Sequence, residues 1–245
     1  MTGTWVIVGA TSSMARAFAR LAAEDGAHVL LAGRDMDDMG RTAEDCRHRG
    51  AASSRVIAFD ARKPEGFGAI VEAAGVEPGP VNVAVFVASM PEQSAIDEDP
   101  SLVATTITDG FTGPARLLHL FAPLMEERGA GTVVGVGSVA GDRGRLGNYV
   151  YGSGKAGFHT YLAGLRNRLG RSGVHVVTVK PGFVDTAMTW GLEGLFLVAT
   201  PDAVAADIWR AVAKKRNVIY TPWFWRYIML IIMHVPEFIF KKLKV

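Results

Sequence analysis

The chain has 245 residues, 49% of them apolar, with 26 Lys and Arg against 24 Asp and Glu and a single cysteine. At about 150 residues per domain this allows one large domain or two small ones, with ample chain for a core. One cysteine excludes an internal disulfide framework and a multi-cysteine metal site, and a net charge of +2 gives no reason to expect a nucleic-acid partner.

Residues 1–8 hold no basic segment followed by an apolar run, so no signal peptide is expected and a cytoplasmic protein is. Short runs rich in Val and Ile at 5–8, 28–32, 55–59, 81–87, 132–136, 174–179 and 218–220 alternate with helical segments at 14–24, 36–48, 66–74, 102–127, 150–169 and 202–214. Continuous apolar strands separated by helices predict a parallel sheet covered on both faces, because each crossover lays a helix over the sheet. No repeat or Pro/Ser-rich linker interrupts the pattern. The expected fold is α/β: one doubly wound, Rossmann-type domain over 1–221, with 222–245 as an extension of it. Segments 89–100 and 184–200 read as long loops near the strand ends, where such sheets bind ligands.

After the first strand comes Val8-Gly9-Ala10-Thr11-Ser12-Ser13-Met14-Ala15. A glycine at such a turn lets the backbone approach a pyrophosphate seated on the helix amino terminus, and Thr11, Ser12 and Ser13 offer hydroxyls to phosphate oxygens. The usual three glycines are reduced to Gly9, so an ordinary serine or threonine helix cap accounts for the motif equally well. The second strand ends Gly33-Arg34-Asp35. An acid there would hold a ribose 2′-hydroxyl. Arg34 instead predicts the extra phosphate of NADP, with Asp35 as a neighbour able to pair with it.

Ser138 follows the fifth strand, Tyr151 lies 13 positions on, and Lys155 four after that. Positions i and i+4 share a helix face, so the ammonium is expected beside the phenol, favouring the phenolate and lowering its pKa. Tyr149 lies about 240° round the helix from Lys155 and cannot share that role. An incidental surface pair is the plain alternative for Tyr151 and Lys155 taken alone.

With Gly9 in the first turn, Asp60 after the third strand, Ser138, Tyr151, Lys155 and the run Pro181-Gly182-Phe183-Val184-Asp185-Thr186, the chain resembles the short-chain dehydrogenase/reductase family over nearly its whole length. The resemblance implies an NADPH-dependent carbonyl reductase. Tyr151 would donate a proton to a carbonyl oxygen, Lys155 would hold the nicotinamide ribose and tune Tyr151, and Ser138 would bind the substrate oxygen. Asp60 would contact the adenine side, and Val184 and Thr186 the carboxamide. The full implied cofactor set is Gly9, Thr11, Ser12, Ser13, Met14, Arg34, Asp60, Ala88, Tyr151, Lys155, Pro181, Gly182, Val184 and Thr186, with NADP(H) preferred over NAD(H). A homo-oligomer, dimer or tetramer, is implied too. Two departures stand out. Phe86-Val87-Ala88-Ser89 replaces the usual Asn-Asn-Ala-Gly, and Gly110 stands where relatives carry a catalytic asparagine; Asp109 beside it is not expected to substitute.

The tail gathers Trp223, Phe224, Trp225 and Tyr227 with an apolar run 228–233 and the cations Arg226, Lys241, Lys242 and Lys244. The run is too short to span a bilayer, which takes about 20 apolar residues. Its aromatics and lysines suit peripheral contact with an interface on the inner face of a membrane, and a closer resemblance within the family, carried by 149–157 and this tail, implies a lipid-linked keto-sugar or another membrane-lipid ketone as substrate. A dimer contact or a core-covering helix is the ordinary alternative, and Pro236 is expected to divide the segment. Leu192, Leu195, Phe196, Leu197 and Val198 would close over an apolar substrate or, equally, belong to the core. Other readings of the same residues are a 3-oxoacyl or keto-lipid reductase and a non-catalytic dinucleotide-binding scaffold or sensor. The six histidines show no metal-ligand spacing. Cys46 sits among groups able to lower its pKa, and Asp97 and Asp99 are read as solvated.

Overall fold

The computed structural model describes residues 3–190 and 196–243. Leu192, Leu195 and Lys244, named above for the substrate cover and the tail, lie outside them. Seven strands, β1 (Thr4–Val8), β2 (His28–Gly33), β3 (Ser53–Ala58), β4 (Val81–Val85), β5 (Thr132–Val136), β6 (His175–Pro181) and β7 (Val218–Thr221), form one parallel sheet. Their order is β3-β2-β1-β4-β5-β6-β7.

The strands are continuously apolar because both faces are covered. Side chains alternate across a strand, so Trp5 and Ile7 enter one core while Val6 and Val8 enter the other. The first core is closed by α1 (Ser13–Glu24), α2 (Met36–His48) and α8 (Pro201–Ala213), with Phe18 edge-on to Trp5 at 4.9 Å between ring centroids. The second lies under α3 (Phe67–Gly75), α6 (Gly113–Arg128) and α7 (Tyr149–Leu169), where Phe67, Phe121 and Phe158 are buried. Strand order reverses between β1 and β4, and that point opens a crevice at the carboxyl ends of the strands.

Two expectations are corrected. Segment 89–100 is not all loop: it holds α4 (Gln93–Glu98), a short helix whose bracketing prolines, Pro91 and Pro100, read as loop. Segment 102–127 is not one helix but α5 (Ser101–Ile107), a π-helical turn (Thr108–Thr112) and α6. Pro114 has no amide to give the carbonyl four residues back, so the regular ladder breaks at this turn.

Pro236 divides the tail as expected, into α9 (Trp225–His234) and α10 (Glu237–Phe240). Trp225, Met229 and Phe240 are buried, the first two against Val139. Arg143 fastens the junction: its Nη1 donates to the carbonyls of Ile232 (2.5 Å) and Val235 (2.7 Å), and its guanidinium lies 3.7 Å from the centroid of Phe240. These carbonyls lie at a helix end, which a cation satisfies well. Among the described residues no helix is long and apolar enough to cross a membrane.

Candidate active site

A cleft of about 450 Å³ lies at the strand-order reversal, lined by residues distant in sequence. The turn after β1 forms one wall. Gly9 has φ +80°, and a Cβ there would meet the Phe86 carbonyl at 3.1 Å, so only glycine fits without strain. Ser12 is the N-cap residue of α1 but makes no side-chain cap bond. The amides that begin α1 and the hydroxyls of Thr11 and Ser13 are therefore not consumed in capping, and an anion suits this turn.

Arg34, exposed at the end of β2, lines the same cleft and has no ion pair among the described residues. Asp35 does not pair with it. Its carboxylate instead caps α2, accepting from the Asp38 amide at 2.9 Å. Thr11, Ser12, Ser13, Met14, Asp60, Ala88, Tyr151, Lys155 and Thr186 also line the cleft. Ser138, Pro181, Gly182 and Val184 are not among the lining residues, though the Ser138 hydroxyl bonds the phenol of Tyr151, which is. Gly182 backs onto the Trp225 indole, and Val184 is buried in a bridge to Ala199.

Tyr151 and Lys155 lie one turn apart on α7, and both are buried. The ammonium does not sit on the phenol. Lys155 Nζ donates to the carbonyls of Val136 (3.0 Å) and Val87 (3.4 Å) and is 5.8 Å from the Tyr151 ring centroid. With no carboxylate at hand, burial lowers its pKa to about 8. Tyr151 departs from expectation too. Burial raises its pKa, and the groups that oppose the rise are the Ser138 hydroxyl and the Arg145 guanidinium, not Lys155. The phenol consequently stays protonated at neutral pH, as a proton donor must.

Asp109 is not free to replace the family's asparagine. Arg62 takes both its oxygens, Nε at 2.9 Å and Nη2 at 2.7 Å. At Gly110 an added Cβ would find its nearest neighbour, Gly154 Cα, at 4.0 Å, so the space for a side chain remains.

Behind Ser138 lies a buried polar cluster that sequence reasoning missed. His159 Nε2 accepts from the Ser138 amide at 3.4 Å, and its ring fills the space that keeps Gly137 and Gly141 free of side chains. Its Nδ1 lies 3.7 Å from Asp142, whose oxygens accept from Lys180 Nζ (2.5 Å) and the Tyr220 hydroxyl (2.8 Å). Burial and the nearby Lys180 and Lys155 hold the His159 pKa down at about 3, so the ring is neutral and able to accept. The cluster ties the ends of β5, β6 and β7 to α7. Its members lie too far apart in sequence for spacing to connect them.

Three smaller readings change. Asp97 is not merely solvated: it accepts from the Tyr149 hydroxyl (2.5 Å) and Gln93 (3.0 Å), pinning α4 to the start of α7. Asp99 accepts from the Ser101 amide at 3.0 Å, where α5 begins. Cys46 is buried and its thiol pushed up to about 11, so it is unreactive as an acid.

The family sequence model described as short chain dehydrogenase matches residues 4–193. An uncharacterized oxidoreductase of Mycobacterium tuberculosis is 32% identical over 239 residues, covering 97% of this chain and 96% of its own. A ketoacyl reductase of Nostoc is 30% identical over 229 residues, covering 89% and 78%. Among solved structures, an actinorhodin polyketide ketoreductase with NADPH superposes with a TM-score of 0.79 at 21% identity, over 89% of this chain and 95% of that one. A short-chain dehydrogenase from Sphingobium yanoikuyae in complex with NADPH gives 0.78 at 22%, over 96% and 97%. These two share the fold. The match of the family model over most of the chain, joined to relatives at 30% identity and above, makes this protein a member of the short-chain dehydrogenase/reductase family of NAD(P)-dependent oxidoreductases.

Proposed function

We propose that the protein is an NADPH-dependent carbonyl reductase acting on a lipid-linked keto-sugar or another membrane-lipid ketone. The observation that carries the reduction is a buried, protonated Tyr151 opening on the same cleft as the Gly9 turn. The residues fit a dinucleotide: a turn that admits only glycine, an uncapped helix start, and Asp60 and Arg34 at the far end. When bound there, the nicotinamide supplies the hydride. Tyr151 gives its proton to the carbonyl oxygen, and the phenolate left behind is stabilised by the Ser138 hydroxyl and by nearby positive charge. Ser138, held by His159 from behind, orients the substrate oxygen. Lys155 holds the ribose of the cofactor.

Arg34 supports NADP over NAD, because an unpaired guanidinium matches a phosphate with charge-assisted bonds. Replacing it (Arg34→Gln) is expected to weaken NADPH about 30-fold while leaving NADH within about threefold, measured by fluorescence titration. Equal losses for the two cofactors would assign Arg34 a purely structural part.

For the lipid part, the run 149–157 and the aromatic, basic tail resemble decaprenylphosphoryl 2-keto-ribose reductase. The tail is an extension of the reductase domain whose outer face is as apolar as its inner one. Trp223 (71% exposed), Tyr227, Leu230 and Ile231 (69%) form a stripe on and before α9, and the tail also exposes Arg226, Lys241 and Lys242. Phe196 touches both Phe183 and Trp225, at 5.7 and 5.5 Å between ring centroids, joining the buried side of the tail to the segment after β6. Aromatics at headgroup depth, with about 1 kcal/mol per lysine near anionic lipid, give reversible docking from the cytoplasmic side.

Vesicles of anionic lipid carrying a polyprenyl-phosphoryl keto-sugar provide the test. NADPH should be consumed there, and Trp223→Ser/Tyr227→Ser/Ile231→Ser should lower both sedimentation with vesicles and turnover while leaving water-soluble ketones unaffected. An oligomer that falls apart in this variant, with vesicle binding intact, would make the stripe a subunit contact. Turnover of 3-oxoacyl thioesters instead of the keto-sugar would favour the ketoacyl reading, which the named Nostoc relative supports. NADPH binding without turnover of any ketone would favour a scaffold, the reading that Gly110 supports.

A further inference from the structure

The tail reaches two segments that leave the sheet beside the reacting end, and it reaches both through one side chain. Trp225, at the start of α9, is 1% exposed and packs with Met229 against Val139, the residue after Ser138. It also meets the segment after β6: its indole fills the space that a Cβ at Gly182 would take, and the Phe183 ring stands edge-on to it at 5.5 Å between centroids. Val139 begins a 3-10 turn (Val139–Gly141) whose Ala140 amide donates to Ser138 Oγ at 3.1 Å. The Ser138 hydroxyl in turn bonds the Tyr151 phenol. Arg143, two residues beyond that turn, ties the same loop to the junction of α9 and α10, pairing with Glu237 at 2.9 Å in addition to its bonds to Ile232 and Val235.

The indole makes no hydrogen bond of its own: Nε1 is enclosed with no acceptor. Burying an unpaired N–H costs free energy, so what the ring supplies is bulk and shape. Close-packed interiors transmit displacement, and about 1 Å of misplacement at a reacting group can cost about a hundredfold in rate. We infer that Trp225 is a positioning residue for the reduction: its ring, wedged between Val139 and Gly182, sets the turn that aims the Ser138 hydroxyl, and Arg143 holds the wedge in place. The inference rests on the carbonyl-reductase reading and adds that the inner face of the tail serves catalysis, whatever its outer face meets.

The full-length protein is tested with saturating NADPH and the best substrate among dihydroxyacetone, cyclohexanone and ethyl acetoacetate. Trp225→Leu should lower kcat about thirtyfold, with the ketone's KM and the NADPH stoichiometry unchanged. Trp225→Phe, which keeps a ring in the wedge and sheds the orphan N–H, should recover most of the loss. The deciding comparison is made in Ser138→Ala. There Trp225→Leu should cost less than about threefold, because the group through which it acts is already gone. Equal losses in the two backgrounds overturn the inference, and so does a kcat within about threefold of wild type in Trp225→Leu. If Trp225→Leu does not fold, Arg143→Gln carries the same comparison, with a loss of about tenfold when Ser138 is present and less than about twofold when it is not; equal losses again overturn it. Should wild type reduce no ketone, the reductase reading fails separately, and amide exchange over 138–142 then decides. Exchange at least about tenfold faster there in Trp225→Leu or Arg143→Gln, with β1 unchanged, upholds the wedge, and unchanged exchange overturns it.

Discussion

Tyr151→Phe is expected to lower kcat/KM for ketone reduction by about a thousandfold, in the middle of the range for loss of a positioned general acid. The side chain is buried, and phenylalanine keeps its shape, so the fold and the cofactor cleft should survive. NADPH affinity should stay within about threefold, since the hydroxyl serves the reacting carbonyl rather than the cofactor's charged groups. The substitution removes the hydroxyl's hydrogen bond with Ser138, so the melting temperature should fall by only a few degrees. Single-turnover rates, NADPH fluorescence titration and thermal melts make the three measurements. Residual activity within tenfold of wild type would transfer the proton donor to another group.

Lys155 carries the second large effect. Its ammonium is enclosed at 3% exposure and points to two carbonyls, and its pKa is held at about 8 by burial alone. In the proposed reduction the charged form holds the ribose of the cofactor. Activity with saturating NADPH is therefore expected to be level through neutral pH and to fall above about 8, close to tenfold per pH unit. Stability moves the other way. The folded pKa lies below the ordinary 10.5, so the unfolded chain binds more protons between about 8 and 10.5, and this group's contribution to stability rises with pH across that window. Below about 8 its burial costs about 3 kcal/mol. Lys155→Met should consequently lose about a hundredfold or more in kcat/KM, abolish the inflection near pH 8, and unfold no earlier than wild type at pH 7. An inflection that persists in the variant belongs to some other group, and the lysine is then not the charge that reduction needs.

Ser138 shows how the two levels of description meet. Its place after β5 and its spacing to Tyr151 are written in the chain. Its hydroxyl is pointed by the Ala140 amide, which donates to Oγ at 3.1 Å, and its backbone amide is held by a histidine on α7, itself faced by Asp142, which is held in turn by β6 and β7. The same division applies to Arg34 and Asp35. Adjacent residues suggested a pair, but the first amides of α2 claim the carboxylate and leave the guanidinium to the cleft.

What the amino-acid sequence determined by itself was periodic or local. Runs of Val and Ile closed on both sides dictated a parallel sheet, the four-residue step set Tyr151 and Lys155 on one helical face, and Pro236 divided the tail. Such patterns are legible because each follows from the dihedral repeat of a few neighbouring residues. Only the tertiary structure decided the electrostatics. It joined Asp109 to Arg62, turned Lys155 toward the carbonyls of Val87 and Val136, and kept Cys46 inert. A charge's hydration and its partners depend on every element packed around it, so the phenol's acidity is governed by burial, Ser138 and Arg145 rather than by the lysine one turn away.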